Sequence, residues 1–256
     1  MTRRLQTWFE SFVGRYRGSD GALCAPLELK YRHSLRVAAN ARTIAANLGL
    51  SPAQVRLAEG CGLLHDVGRF PQFAAHGSFR DADTVDHGVE GRRVLETEGV
   101  QRLVSPADWD AVAAAVEYHN RRTAELPEGL APEPGLMLRV VRDADKLDVL
   151  ELVLQSVARD GFRELPEMLP HIRLERTVSP EVLAEAAAAR SVSLGNVSTL
   201  ADFLVLLATW FHDLHHAPSR CLAFERELPG RLRRELPDTP EVRALFAGIE
   251  RPAVGC

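Results

Sequence analysis

Apolar positions recur at three- and four-residue intervals along most of the chain, the period of helices that bury one face. In LELKYRHSLRVAANARTIAANLG, the positions Leu27, Tyr31, Ser34, Leu35, Ala38, Ala41 and Ala45 form one small, mainly apolar stripe between Pro26 and Gly49. Ser51-Pro52 reads as a cap followed by proline at the first helical position, opening a helix that runs through AQVRLAEGCGLLHDVG to about Gly68. Further helices are predicted over residues 2–16, over 85–98 behind a Thr84 cap, from Ser105-Pro106 to His119 or Asn120, and over 137–157. Three polar stretches show no clear period and read as loops: 70–83, 121–135 and 165–174. Beyond them, helices are predicted from Ser179-Pro180 to 191, over 199–216 and over 218–234, with a short turn of helix at 240–246. The expected fold class is all-α.

Composition narrows the class. The 256 residues are 46% hydrophobic and 26% charged, the mix of a globular chain, and only 6% aromatic. No 20–50-residue repeat and no low-complexity linker divides the sequence, so one all-helical domain, 1–256, is the simplest organisation. The 31 basic residues are outnumbered by 35 acidic ones, which argues against a long nucleic acid as partner. No run of eighteen apolar residues is present, so no membrane span is expected. Cys24, Cys61, Cys221 and Cys256 form no CxxC pair, which speaks against a thiolate zinc site or a disulfide framework. The expected setting is reduced and cytoplasmic.

The candidate chemistry lies in the order of the histidines. His33 sits inside a small-apolar helix, His65-Asp66 ends the next, His87 follows Asp86, His119 ends another, and Asp145 lies in RDADKLD. Four imidazoles and two carboxylates are enough nitrogen and oxygen to hold two divalent metals. Asp66 lies among Leu63, Leu64 and Val67, and Asp145 among Val141, Ala144 and Leu147. A shared cation would relieve the cost of burying both carboxylates. Successive residues on a helix point about 100° apart, so His65 and Asp66 can converge only if the last turn before Gly68 is distorted. A His-Asp pair alone says little, because His212-Asp213 repeats it. The nearby His215 and His216 suit a helix C-terminus, and the apolar stretch LADFLVLLATWF before them makes core or the face of a homodimer.

The series His33, His65-Asp66, His87, His119, Asp145 resembles the HD-domain superfamily of metal-dependent phosphohydrolases, in its dinuclear branch. HDVGRF resembles the segment around the family's His-Asp pair, with Arg69 where a lysine is usual. DHGVEG resembles the family's His-x-x-x-Gly, and RDADKLD its closing aspartate motif. The resemblance covers about residues 27–155 and implies an HD-like helical bundle there, with 156–256 as additional C-terminal helices. It implies that His33, His65, Asp66 and Asp145 hold one metal, that His87 and His119 hold the second, and that Asp66 bridges them. It also implies hydrolysis of a phosphate ester or phosphoanhydride, of a nucleotide or small phosphorylated metabolite, by a hydroxide held between the metals. Nitrogen and oxygen ligands without thiolate suit Fe or Mn, with Zn, Ni or Co also open.

Cations near these motifs are candidates for the substrate's phosphate: Arg69 first for its guanidinium fork, then Lys146 beside Asp145, then Arg121 and Arg122 in HNRR. Asp86 is a candidate for orienting a ring or moving a proton. Arg142 reads as a structural ion pair, and Arg36, one turn from His33, fits either purpose. Phe73 and Phe79 either close the core over the metals or stack on a base. Two other readings stay open: a mixed-valent di-iron oxygenase, which shares this ligand order and acts with O2 on a small phosphonate or polyol, and a non-catalytic helical metal-binding module. The chain has no Walker loop, no dinucleotide-binding glycine motif and no GxSxG elbow, which argues against an ATPase, an NAD enzyme or a serine hydrolase.

Overall fold

The computed structural model describes residues 2–163 and 172–249. The architecture is all-α, and the one extended pairing among the described residues is an isolated parallel bridge between Arg173 and Thr199. The chain divides into two compact units, Met1–Asp148 and Val149–Cys256. The division falls inside a helix, ahead of the expected core boundary at residue 155.

In the first unit, α1 (Thr2–Gly14), α2 (Ala25–Asn47), α3 (Pro52–Leu64), α4 (Arg69–His76), α5 (His87–Thr97), α6 (Pro106–Tyr118) and the start of α7 (Pro132–Asp160) follow in order. Local chemistry sets several of these boundaries. Ser51 and Gln54 form a capping box with Pro52 in the first turn, and the Ser105 hydroxyl accepts from Asp108 N. α3 packs along α2 and against α6, and α5 packs on α6. Phe70 is fully buried against Phe9, Phe12 and Tyr16.

The second unit continues with the rest of α7, then α8 (Pro180–Ala189), α9 (Leu200–Thr209), α10 (Ala217–Glu225), α11 (Leu228–Arg234) and α12 (Pro240–Ala247). Every residue of α9 is buried, so this apolar stretch is core of its own unit rather than an open face. Cys24 and Cys61 are free thiols. Among the described residues, no helix is long and apolar enough to cross a membrane.

The structure corrects several expected elements. Residues 70–83 are not one loop: α4 occupies Arg69–His76 and ends on Gly77 in the left-handed region at φ 63°. Pro71 hides this helix from a periodicity reading, yet proline is tolerated in a first turn because those N–H groups have no helical partner. α5 starts two residues late, because Asp86 and not Thr84 caps it. α7 begins at Pro132, inside the stretch expected to be loop. The helix expected over 218–234 is two helices, broken where Glu227 adopts φ 54°. The helix expected over 199–216 stops at Thr209 and passes into a 3₁₀ turn, Trp210–Asp213. The loop expected at 165–174 falls mostly outside the described residues.

Candidate metal centre

The site begins where α3 ends. Beyond Leu64 the chain tightens to three-residue hydrogen bonds, Val67 N to Leu64 O at 3.0 Å and Arg69 N to Asp66 O at 2.9 Å. This is the distorted turn that lets His65 and Asp66 face one centre. The turn sits against α5 at the closest possible range. A Cβ on Gly68 would lie 2.2 Å from His87 O and 2.6 Å from Gly91 N, so only glycine lets the backbones approach.

All six predicted ligands come together around Asp66. Its Oδ2 lies 3.6 Å from His33 Nε2 and 3.7 Å from His65 Nε2. Its Oδ1 lies 3.4 Å from His87 Nε2 and 3.6 Å from His119 Nε2. Asp145 Oδ1 joins the first group, 3.1 Å from His33 Nε2 and 3.8 Å from His65 Nε2. The groups His33–His65–Asp66 and Asp66–His87–His119 are each close enough to hold one ion. Asp66 is the carboxylate they share. Apart from Asp145, whose side chain is 26% exposed, these residues are buried.

Each imidazole is pinned from behind. His65 Nδ1 lies 2.8 Å from Gly62 O and His119 Nδ1 lies 2.9 Å from Val116 O. Both partners are carbonyls, so each Nδ1 carries the proton and each Nε2 the lone pair. His33 Nδ1 lies 2.7 Å from Asp148 Oδ2, and His87 Nδ1 lies 2.5 Å from Asp81 Oδ2. Four Nε2 atoms therefore converge in two pairs, His33 with His65 at 3.2 Å and His87 with His119 at 3.0 Å. Two imidazole nitrogens this close need a proton or a cation between them, and a cation would be coordinated by both. The donor set fits metal ions.

The electrostatics favour the same answer. Burial pushes His65 down to about 3 and His87 down to about 4, keeping both rings neutral and ready to donate. Burial also opposes charge on His33, but Asp145 and Asp148 outweigh it and push that ring up to about 9. A proton there takes the place that the carboxylates offer to a cation. For Asp66, burial works upward, yet Lys30, His65, His119 and Arg69 hold the carboxyl well below the usual range.

The predicted cations fall in different places. Arg69 Nη1 is held by Gln72, Phe79 O and Asp81, while its Nε is buried without a hydrogen bond, 3.5 Å from Asp66 Oδ1. Arg121 stacks on Tyr118 and lies 3.5 Å from Asp86. Arg122 is exposed, and Lys146 is buried on α7. Arg142 Nη1 donates to Arg121 O and Nη2 to Thr123. Asp86 is occupied as the cap of α5, accepting from Gly88 N, Val89 N and Asn120. Phe79 is buried beneath Lys30 and Arg69, a closing residue of the core.

Three residues at the centre were missed by the sequence reading. Lys30 Nζ donates to Asp66 Oδ2 at 2.8 Å; it precedes His33 by three positions, hence the same helix face. Asp148 follows Asp145 by three and takes His33 on one side and Arg36 on the other. Both spacings were visible. Asp81 carried no such mark.

A family model described as HD domain matches residues 31–150. The all-helical fold and the convergence of the His-Asp pair with the later aspartate agree with that match. Over this stretch the chain is similar to the HD domain. Comparisons with curated proteins and with solved structures each found no match.

Proposed function

We propose that the HD domain is a two-metal phosphohydrolase that acts on a small phosphate ester or phosphoanhydride, such as a nucleotide or a phosphorylated metabolite. The observation that carries this reading is the pairing of four imidazole Nε2 atoms on opposite oxygens of the single carboxylate Asp66. His33, His65, Asp145 and Asp66 Oδ2 would hold one ion, and His87, His119 and Asp66 Oδ1 the other. An all-nitrogen-and-oxygen set of this kind suits Fe or Mn. Two divalent ions at such a site supply an activated water and neutralise charge on a phosphoryl group.

The chain's own residues do the rest. Asp66 fixes the distance between the halves. Lys30 and Arg69 place two fixed positive charges on the same carboxylate, one beside each oxygen. Arg69 Nε, which makes no hydrogen bond, is a donor for a phosphoryl oxygen and the first choice for substrate contact. Lys146, beside Asp145 in sequence, and Arg121 and Arg122, beyond His119, are the further choices. Two fixed cations at the centre favour an anionic substrate, a phosphate ester or a phosphonate, over a neutral polyol.

The test is to load the metal-free chain with Mn or Fe, count bound ions, and screen nucleotides and simple phosphate esters. The expected result is two ions per chain and phosphate release that a chelator abolishes. Hydrolysis that survives both chelation and Asp66→Ala would overturn the reading. Oxygen consumption by the iron-loaded chain without phosphate release would replace it with the oxygenase.

A further inference from the structure

The two halves of the centre are not held alike. The His33 half draws on Asp66 and three other groups, carried by α2, by the end of α3 and by the middle of α7. The His87 half has Asp66 and two rings only. His87 is the first residue of α5, and the chain before it is not helical. Its ring is oriented by Asp81, which lies outside any α-helix, in the segment between Gly77 and Asp86.

Asp81 is itself gripped from α4. Its Oδ1 accepts from Arg69 Nη1 at 2.7 Å and from Gln72 Nε2 at 2.9 Å. Gln72 is buried, and the same amide lies 2.8 Å from Thr84 Oγ1 and 3.0 Å from Val85 O. Asn120 Nδ2 reaches Asp81 Oδ2 at 3.4 Å. A segment whose helical structure is one short 3₁₀ turn, Asp81–Asp83, is thus tied down at the carboxylate that holds the His87 ring. A carboxylate behind an imidazole fixes the ring and raises its basicity, and losing such a partner weakens metal binding about 10–100-fold. Fewer protein ligands also leave more positions open to exchange.

We propose that Asp81 is a positioning residue that sets the ion affinity of the His87–His119 half, and that this half is the weaker, exchangeable one. The inference rests on the two-metal reading above. Asp148 supplies an internal control, since it stands behind His33 in the same way on the other half.

The test titrates the metal-free full chain with Mn²⁺ alone, by calorimetry with free ion counted by electron paramagnetic resonance. The wild type should bind two ions of unequal affinity. Asp81→Asn should weaken the looser ion about 10–100-fold and leave the tighter one unchanged. Asp81→Glu, which restores the carboxylate, should recover part of the loss. Asp148→Asn should weaken the tighter ion instead. Should Asp81→Asn not fold, Gln72→Met removes one of its anchors and should weaken the same ion to a smaller extent. Two ions in the wild type with both, or neither, weakened by Asp81→Asn would overturn this inference alone, as would Asp148→Asn acting on the looser ion. Fewer than two ions in the wild type would overturn the two-metal reading beneath it.

Discussion

The dipeptide His-Asp occurs twice in this chain, and the two copies end differently. His65-Asp66 and His212-Asp213 each follow an apolar helical stretch, and each lies in a tight three-residue turn. His65 is completely buried and Asp66 is 2% exposed. His212 is exposed, at the rim of a 270 Å³ cleft lined by Phe211, Leu214, Arg220 and Phe224. Among the described residues, no cluster able to hold a metal includes His212, His215 or His216. The local chemistry is the same; what differs is what meets it. Three other helices bring His33, His87 and His119 to Asp66, and no such set arrives at Asp213. A two-residue motif is a turn with two polar groups, and the site belongs to the packing around it.

The largest expected effect separates the copies at once. Asp66→Ala should lower phosphate-ester turnover roughly a thousandfold or more and reduce the bound ions, measured by steady-state kinetics and metal analysis. Asp213→Ala should leave both within twofold. Equal losses would erase the distinction. The next effect concerns why the first turn can lie so near α5. Two residues past the aspartate stands Gly68 in one copy and His215 in the other. Gly68→Ala drives a methyl group into His87 O and Gly91 N, backbone that cannot swing aside. The expected cost is about 3 kcal/mol in urea unfolding, with the looser ion weakened as α5 shifts. His215→Ala should cost less than about 1 kcal/mol.

The glycine shows how far the sequence could be read. The helical class, the caps at Ser51 and Ser105 and the six converging side chains were legible because they follow from period, capping chemistry and motif order. The distorted turn after Leu64 followed from the need to point adjacent residues at one centre. Lys30 and Asp148 were legible in principle, each three positions from a ligand on its own helix, yet a same-face spacing is common on any helix and marks nothing alone. Asp81 was not legible. It acts across a bend, against α4, and α4 was itself hidden because Pro71 and a run of only eight residues left no period to find. The break at Glu227 was equally silent, since a glutamate at positive φ contradicts its local preference.

The smallest effect sharpens the contrast between the two units through their buried carboxylates. Asp66 faces nitrogen lone pairs and is balanced by lysine, arginine and, on our reading, metal. Asp202, fully buried in the second unit, faces donors instead: Ser179 N at 2.7 Å, the Ser179 hydroxyl at 2.8 Å, and Ser198 N, the Ser198 hydroxyl and Thr199 N each at 3.1 Å. Burial raises its carboxyl, but these donors outweigh burial and hold it below the usual range. A depressed carboxyl stabilises the fold above its unfolded value of about 3.9 and loses that contribution as pH falls through the folded value. Asp202→Asn sets an amide against donors and should cost about 2 kcal/mol at pH 7. The gap to wild type should narrow on acidification below about pH 4, followed by urea unfolding at each pH. A chelator should leave the gap unchanged, because every group that satisfies Asp202 belongs to the chain. A gap that depends on metal would mean that the second unit's carboxylate is not self-sufficient, and the contrast with Asp66 would fail.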